Sequence, residues 1–294
     1  MKPEMLRQAL EVMSVWPQQP QVHLTGGEPF LHYDLLLEGT RIATELGIYV
    51  YLETSGAWCL DENEAVERFQ ALKSAGLQSV LISCSPFHAE RIPPVRMLRA
   101  AQAATDVFGA HRVMIYQSQY LELLQQFGLE RPTPLSRYTD EFGRDGAYRL
   151  LWQGFGVISG GRSGYVLGHL VNKQPAEAFA RESCADTLLY AHHSHFDLYG
   201  NYVPGYCGGI AVGDWQQLPQ VLDDFQAERY SPLVEILITH GPWGLVELAR
   251  DEHGYEPALE GYTGKCHLCV DVRRHLVEAG DFAELRPREF YEHI

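Results

Sequence analysis

Apolar residues recur along the first part of the chain with two alternating periods, one helical and one extended. Met5, Leu6, Leu10 and Met13 fall close to one helical face, which predicts a helix over 4–15 that Pro17 and Pro20 end. Val22-His23-Leu24-Thr25 then reads as a short strand running straight into Gly26-Gly27. The rhythm repeats: helix from about 33 to 46 with Gly47 behind it, strand 48–52, helix 62–75 closed by Gly76, strand 79–83, helix 93–107 closed by Gly109, and strand 112–116. Strand starts near 21, 48, 79 and 112 are separated by 27, 31 and 33 residues, the repeat of consecutive β–α units. Such units build a parallel sheet with right-handed crossovers, and ligands sit at the carboxyl ends of its strands. Here those ends read Thr25-Gly26-Gly27-Glu28, Glu53-Thr54-Ser55-Gly56 and Ser83-Cys84-Ser85, all polar or glycine-rich.

After Tyr116 the pattern loosens. Pro132, Pro134 and the charged stretch 140–145 predict a long irregular connection. Phe155-Gly156-Val157-Ile158 reads as a further strand, running into the glycine-rich Ser159-Gly160-Gly161-Arg162. A boundary is expected near residue 170, giving a first domain over 1–170 and a second over 171–294. In the second, residues 195–199 and 202–203 flank Gly200-Asn201 as a β-hairpin whose turn supplies positive φ. The remainder is expected to be mostly helical, closing with a helix over 268–279.

Composition narrows the classes of partner. The 294 residues are 46% apolar and 21% charged, ordinary for a globular protein with a real core. With 23 Lys and Arg against 38 Asp and Glu, the net charge of −15 repels phosphate backbones and anionic lipid. Nucleic acid and membranes are therefore not expected as partners; a small molecule or a peptide is. No apolar run approaches the roughly 20 residues of a membrane span, and the opening reads as a helix start rather than a signal peptide, so a cytoplasmic protein is expected. Six cysteines are too few for a disulfide scaffold and favour ligation of a metal or cluster in a reducing compartment.

The sharpest local signal is Gly26-Gly27-Glu28-Pro29 after a strand. Two glycines let backbone groups approach a ligand where a Cβ would collide, Glu28 can accept hydrogen bonds from an ammonium group, and Pro29 fixes the exit of the chain. Alone, the tetrapeptide is equally a tight strand-to-helix turn with a solvent-facing Glu. Followed in order by strand ends Glu53-Thr54-Ser55-Gly56 and Ile82-Ser83-Cys84-Ser85, it resembles the radical S-adenosylmethionine (SAM) superfamily over residues 1 to about 170. The resemblance implies a partial (β/α)6, TIM-like barrel, here lacking its first strand. It implies that Gly26, Gly27, Glu28 and Pro29 hold the methionyl amino group of SAM, that Ser83 contacts the ribose, and that Ser55 lies near the site. His88 could face substrate, or could be a loop histidine hydrogen-bonded to backbone.

The chain departs from that superfamily at one decisive place. Members carry a Cys-x3-Cys-x2-Cys loop after the first strand, whose three thiolates hold a [4Fe–4S] cluster and leave one iron to chelate SAM. Here the first cysteine is Cys59, and residues 1–25 hold neither a cysteine nor the preceding strand. A chain of this kind is expected to be unable to perform reductive SAM cleavage as written, whether through a misassigned start, a truncated gene or a natural remnant. Its sheet would expose an edge unless residues 4–15 cover it.

A second constellation is Cys184, Cys207, Cys266 and Cys269. Between the first two lies Phe196-Asp197-Leu198-Tyr199-Gly200-Asn201, which resembles the hairpin of SPASM or twitch extensions behind many radical SAM barrels. That resemblance implies one auxiliary [4Fe–4S] cluster on the four cysteines, although the Gly200-to-Cys207 spacing is longer than usual. Structural zinc on the same thiolates, or four unrelated buried cysteines, are the alternatives. Cys59 and Cys84 read as lone core residues. His192, His193 and His195 read as a solvated, mixed-role cluster more than as ligands. Two functions follow: an enzyme lineage acting on a peptide or small molecule with help from a reductant protein, or a non-catalytic scaffold that binds SAM or metal.

Overall fold

Each predicted β–α unit in the first half of the chain forms, and together they build one sheet. The computed structural model describes residues 1–15 and 20–294; Pro17, expected to help end the first helix, lies outside them. The chain divides into two compact units, Lys2–Gly146 and Ala147–Ile294.

In the first unit the order is α1 (Pro3–Ser14), β1 (Val22–Leu24), α2 (Tyr33–Glu45), β2 (Val50–Thr54), α3 (Glu62–Ser74), β3 (Ser79–Ser83), α4 (Pro86–Ala89), α5 (Pro94–Phe108), β4 (Val113–Tyr116), α6 (Ser118–Phe127) and α7 (Ser136–Ala147). The strands pair in parallel in the order β1-β2-β3-β4, with Leu24 opposite Leu52, Thr54 opposite Ile82 and Ser83 opposite Tyr116. This is the α/β class the sequence predicts. Sequential strand order with right-handed crossovers puts every crossover helix on one face. On that face Val50, Leu52, Val80 and Ile82 are at most 2% exposed, α2 and α5 lie against the strands, and α3 lies against α5. Burying each such side chain stabilises the fold by about 1.5–3 kcal/mol. The other face alternates into His23, Tyr51, Glu53, Leu81, Met114 and Tyr116, none of them buried, with Met114 60% exposed.

Two expectations for the middle of the chain are overturned. Residues 118–147 are largely helical, not an irregular connection; α6 and α7 are anchored by a few large side chains, chiefly Leu124 and the fully buried Tyr138, whose ring meets Phe127 edge-on at 5.3 Å. Pro132 and Pro134, which suggest an irregular connection, lie in the short coil between the two helices. The strand expected at 155–158 is absent. Tyr148–Gln153 is a turn of wide helix, residues 154–161 are turns and coil, and α8 (Arg162–Val166) follows. Gly164 in α8 is required by close packing: a Cβ there would sit 2.8 Å from the Ser159 carbonyl and 3.0 Å from the His267 ring. The segment falls in the second compact unit, which begins at Ala147.

The second unit continues with α9 (Ala185–Leu189), β5 (Ser194–Phe196), β6 (Asn201–Pro204), β7 (Gly213–Asp214), α10 (Leu218–Gln226), α11 (Pro232–His253) and α12 (Lys265–Ala279). The expected hairpin is present as β5–β6, extended by β7 into a three-stranded antiparallel sheet. Asp197 closes its turn by accepting from Tyr199 N, Asn201 N and Asn201 Nδ2 at 2.8–2.9 Å. The core lies between α11 and α12, from Leu233, Leu237, Leu245, Val246 and Ala249 to Leu268, Val272 and Leu276. Pro242 interrupts α11 next to the non-helical Gly241. Having no N–H, it leaves the Ile238 carbonyl available, and Ser183 Oγ donates to that oxygen at 2.9 Å.

Candidate functional site

The strand ends of the first unit are tied together through two carboxylates. Glu28 Oε1 accepts from Thr54 Oγ1 at 2.7 Å and from Phe30 N at 3.3 Å; Oε2 accepts from Ser55 N at 3.0 Å and from the Ser55 hydroxyl. A carboxylate offers about four acceptor positions, and all are in use. Glu28 therefore bolts the glycine loop to the end of β2, and Ser55 is its counterpart in the bolt. Gly26 has φ +148, and an added Cβ at Gly26 or Gly27 would meet no protein atom within 4 Å. The space over the loop is open, and a Cβ would fill it.

The second carboxylate, Glu53, accepts from Ser83 Oγ at 2.8 Å and faces His23 Nδ1 at 3.4 Å. The hydrogen bond from His23 holds its carboxyl below the ordinary value against the opposing effect of burial, with help from Ser83. His88 makes a 2.7 Å contact from Nδ1 to the Ser85 hydroxyl, so its partner is a side chain rather than the backbone. Burial pushes its pKa down, while Glu53 and Glu28 pull the other way. The sequence-predicted Gly26, Gly27, Glu28, Ser55 and Ser83 thus stand at neighbouring strand ends, and Pro29 opens the turn that leads into α2. Glu53 and His23 join them unpredicted, although their place at the ends of β2 and β1 could have marked them.

In the second unit the four cysteines arrive from three segments. Cys184 caps α9 and donates its N–H to the Leu237 carbonyl of α11 at 3.0 Å. Cys207 follows β6, with its N–H on the Pro204 carbonyl. Cys266 and Cys269 stand three apart in the first turns of α12, a spacing that puts both on one helix face. Cys269 belongs to the core of the unit, and Cys184 and Cys207 pack against that same cluster. All four are free of disulfides. Burial pushes the thiols of Cys184 and Cys207 up to about 12 and that of Cys266 to about 11, and in each case the neighbouring cysteines add to the effect. The four thiols thus belong to one neighbourhood, and any metal held there would require them to lose their protons. Lys265 straps the set together, donating to the Ser183 carbonyl at 2.8 Å and pairing with Glu182 at 3.3 Å. Cys59 and Cys84 stand apart as 0% exposed core residues, as expected.

Beside the cysteines lies a residue that sequence reading missed. Arg273 is 2% exposed, and its guanidinium donates to the carbonyls of Cys269 and Gly208 and to Tyr291 Oη at 3.3, 2.9 and 2.8 Å. Among the described residues no carboxylate lies within ion-pairing distance of it. Burial opposes its charge, and Tyr291, Cys269 and Cys207 more than offset that opposition. Because arginine stays protonated, a fixed positive charge is buried against two of the four thiols.

No protein-family model matches this chain, and no curated protein matches its sequence. No helix among the described residues is long and apolar enough to cross a membrane.

Proposed function

We propose that this chain is a SAM-binding α/β protein of the radical SAM lineage whose second unit carries one [4Fe–4S] cluster on Cys184, Cys207, Cys266 and Cys269. In this reading the four-stranded sheet is an arc of a partial (β/α)6 barrel, and its half-exposed face, with His23, Tyr51 and Glu53, lines the interior. The observation that carries the metal half is the buried Arg273. An isolated buried ion costs several kcal/mol; among the described residues no carboxylate pairs with Arg273, and the groups beside it that could carry a counter-charge are Tyr291, Cys269 and Cys207. Neutral thiols supply none, whereas four thiolates around a metal centre do. The SAM half rests on the open glycine loop and on Glu28, which locks that loop to β2.

A bound cluster would supply substrate anchoring or one-electron transfer. The residues of the chain do the rest: Lys265 ties the segment before Cys184 to α12, the Ser183–Ile238 bond ties it to α11, and the apolar α11–α12 core backs Cys269. Reductive SAM cleavage and hydrogen abstraction from a peptide or small molecule further require a three-thiolate loop, and this chain has no cysteine before Cys59. The activity proposed for the described residues is binding of SAM and of one cluster.

Anaerobic reconstitution with iron and sulfide tests the metal half. About four irons per chain with iron–sulfur absorbance is expected; stoichiometric zinc without that absorbance would establish the zinc site instead. For the SAM half, Gly27→Ala is expected to keep the melting temperature of the parent, because its Cβ meets no protein atom, and to weaken SAM binding at least tenfold in equilibrium dialysis. Unchanged SAM binding in that variant would remove the glycine loop from the site.

A further inference from the structure

His193 and His195 are used by none of this. They stand two residues apart at the entry to β5, the spacing that sends both side chains to one side of an extended chain. Their Nε2 atoms are 3.0 Å apart, and His195 Nδ1 lies 2.9 Å from the Gly205 carbonyl. A carbonyl only accepts, so Nδ1 carries the proton and Nε2 of His195 presents a lone pair toward His193. A ring N–H held by a backbone carbonyl is how metal-ligating histidines are oriented. Tyr206 stacks on the His193 ring at 5.4 Å and 11°, which limits its rotation. Two imidazole nitrogens bound about 2.0–2.1 Å from one ion, at angles between square and tetrahedral, are about 2.9–3.4 Å apart. The observed separation falls in that range.

We propose that His193 and His195 chelate one divalent transition-metal ion of the zinc or nickel class, as a second site with a donor set independent of the cysteines. Imidazole pairs suit such ions and not magnesium or calcium, which take oxygen ligands. With no ion present, a proton on His193 Nε2 bridges to His195. The ion replaces that bridge, and His193 then carries its proton on Nδ1, so no net proton is released. Asp197 does not complete the set, since its carboxylate is committed to the hairpin turn. His195 borders a cleft of about 330 Å³ walled by Asp197, Tyr206, Gly208 and Phe290.

The test uses the full chain with its cysteine site loaded and Ni²⁺ as the probe, followed by calorimetry. One additional Ni²⁺ per chain is expected, with affinity falling at least tenfold in His193→Gln and in His195→Gln and unchanged in His192→Gln, the exposed neighbour. X-ray absorption of the Ni²⁺-loaded parent should show imidazole ligation without sulfur, which keeps the test decisive if a variant fails to fold. Absence of an additional Ni²⁺, equal losses in all three variants, or sulfur in the coordination shell would each overturn the proposal.

Discussion

Single residues decide how charge is held in this protein. Glu53 keeps its carboxyl below its ordinary value of 4.5 through the His23 hydrogen bond. A carboxyl so depressed contributes stability that is present above the ordinary value and is lost as pH falls through the folded one. Acid denaturation of the parent should therefore begin below about pH 4.5 with a contribution that Glu53→Gln removes, so that the two melting curves converge at low pH. Arg273 makes the opposite kind of statement, because its charge never titrates. Arg273→Met is expected to lower metal affinity at least tenfold in chelator competition, and to destabilise the loaded protein more than the metal-free one. Equal destabilisation in both states would reduce Arg273 to a packing residue. Neighbouring arginines show why this was not legible in sequence: Arg273 and Arg274 are adjacent in Val272-Arg273-Arg274-His275, yet the first is buried and the second exposed. Only the positions of Gly208 and Tyr291, far off in the chain, separate them.

At the scale of elements, local period and the cysteine site part company. The alternation of β1 to β4 with α2, α3 and α5 was legible because each element writes its own period into its apolar residues. Residues 118–147 were not, because Pro132, Pro134 and the charges of 140–145 look like breaks, whereas the two prolines fall in the coil between α6 and α7 and the charges lie on α7 itself. The 155–158 segment misled for a different reason. Alternating apolar residues before a glycine run look like a strand end, but residues 154–161 form turns and coil that lead into α8, where Gly164 packs closely against His267. The break in α11 has a use: Pro242 leaves a carbonyl for Ser183, and Lys265 reaches the Ser183 carbonyl from α12. Lys265→Met should speed metal release to a chelator several-fold. Its thermal stability without metal should stay within about 1 kcal/mol, as for an exposed ion pair. An unchanged release rate would show that the strap does not hold Cys184 in place.

For the whole molecule, the separation into Lys2–Gly146 and Ala147–Ile294 predicts that metal acts on one unit. All four cysteines belong to the second unit, Cys269 in its core and Cys184 and Cys207 against it, so metal bound there would add to the folding free energy of that unit. Removing the metal should raise hydrogen exchange in α12 and in the β5–β6 hairpin and leave β1 to β4 protected; loss of protection across both would show that the units unfold together. The sequence alone determined the order of the parallel strands, the glycine loop at the end of β1, the hairpin and the identity of the four cysteines, because these depend on local period, turn chemistry and residue type. Tertiary structure decided that Glu28 is a bolt, that Arg273 is buried against Cys269 and Cys207, and that two histidine nitrogens lie 3.0 Å apart. Those facts turn on distances between groups remote along the chain or on ring orientation, and such distances exist only once the apolar faces of α11 and α12 and of the parallel sheet have closed on their partners.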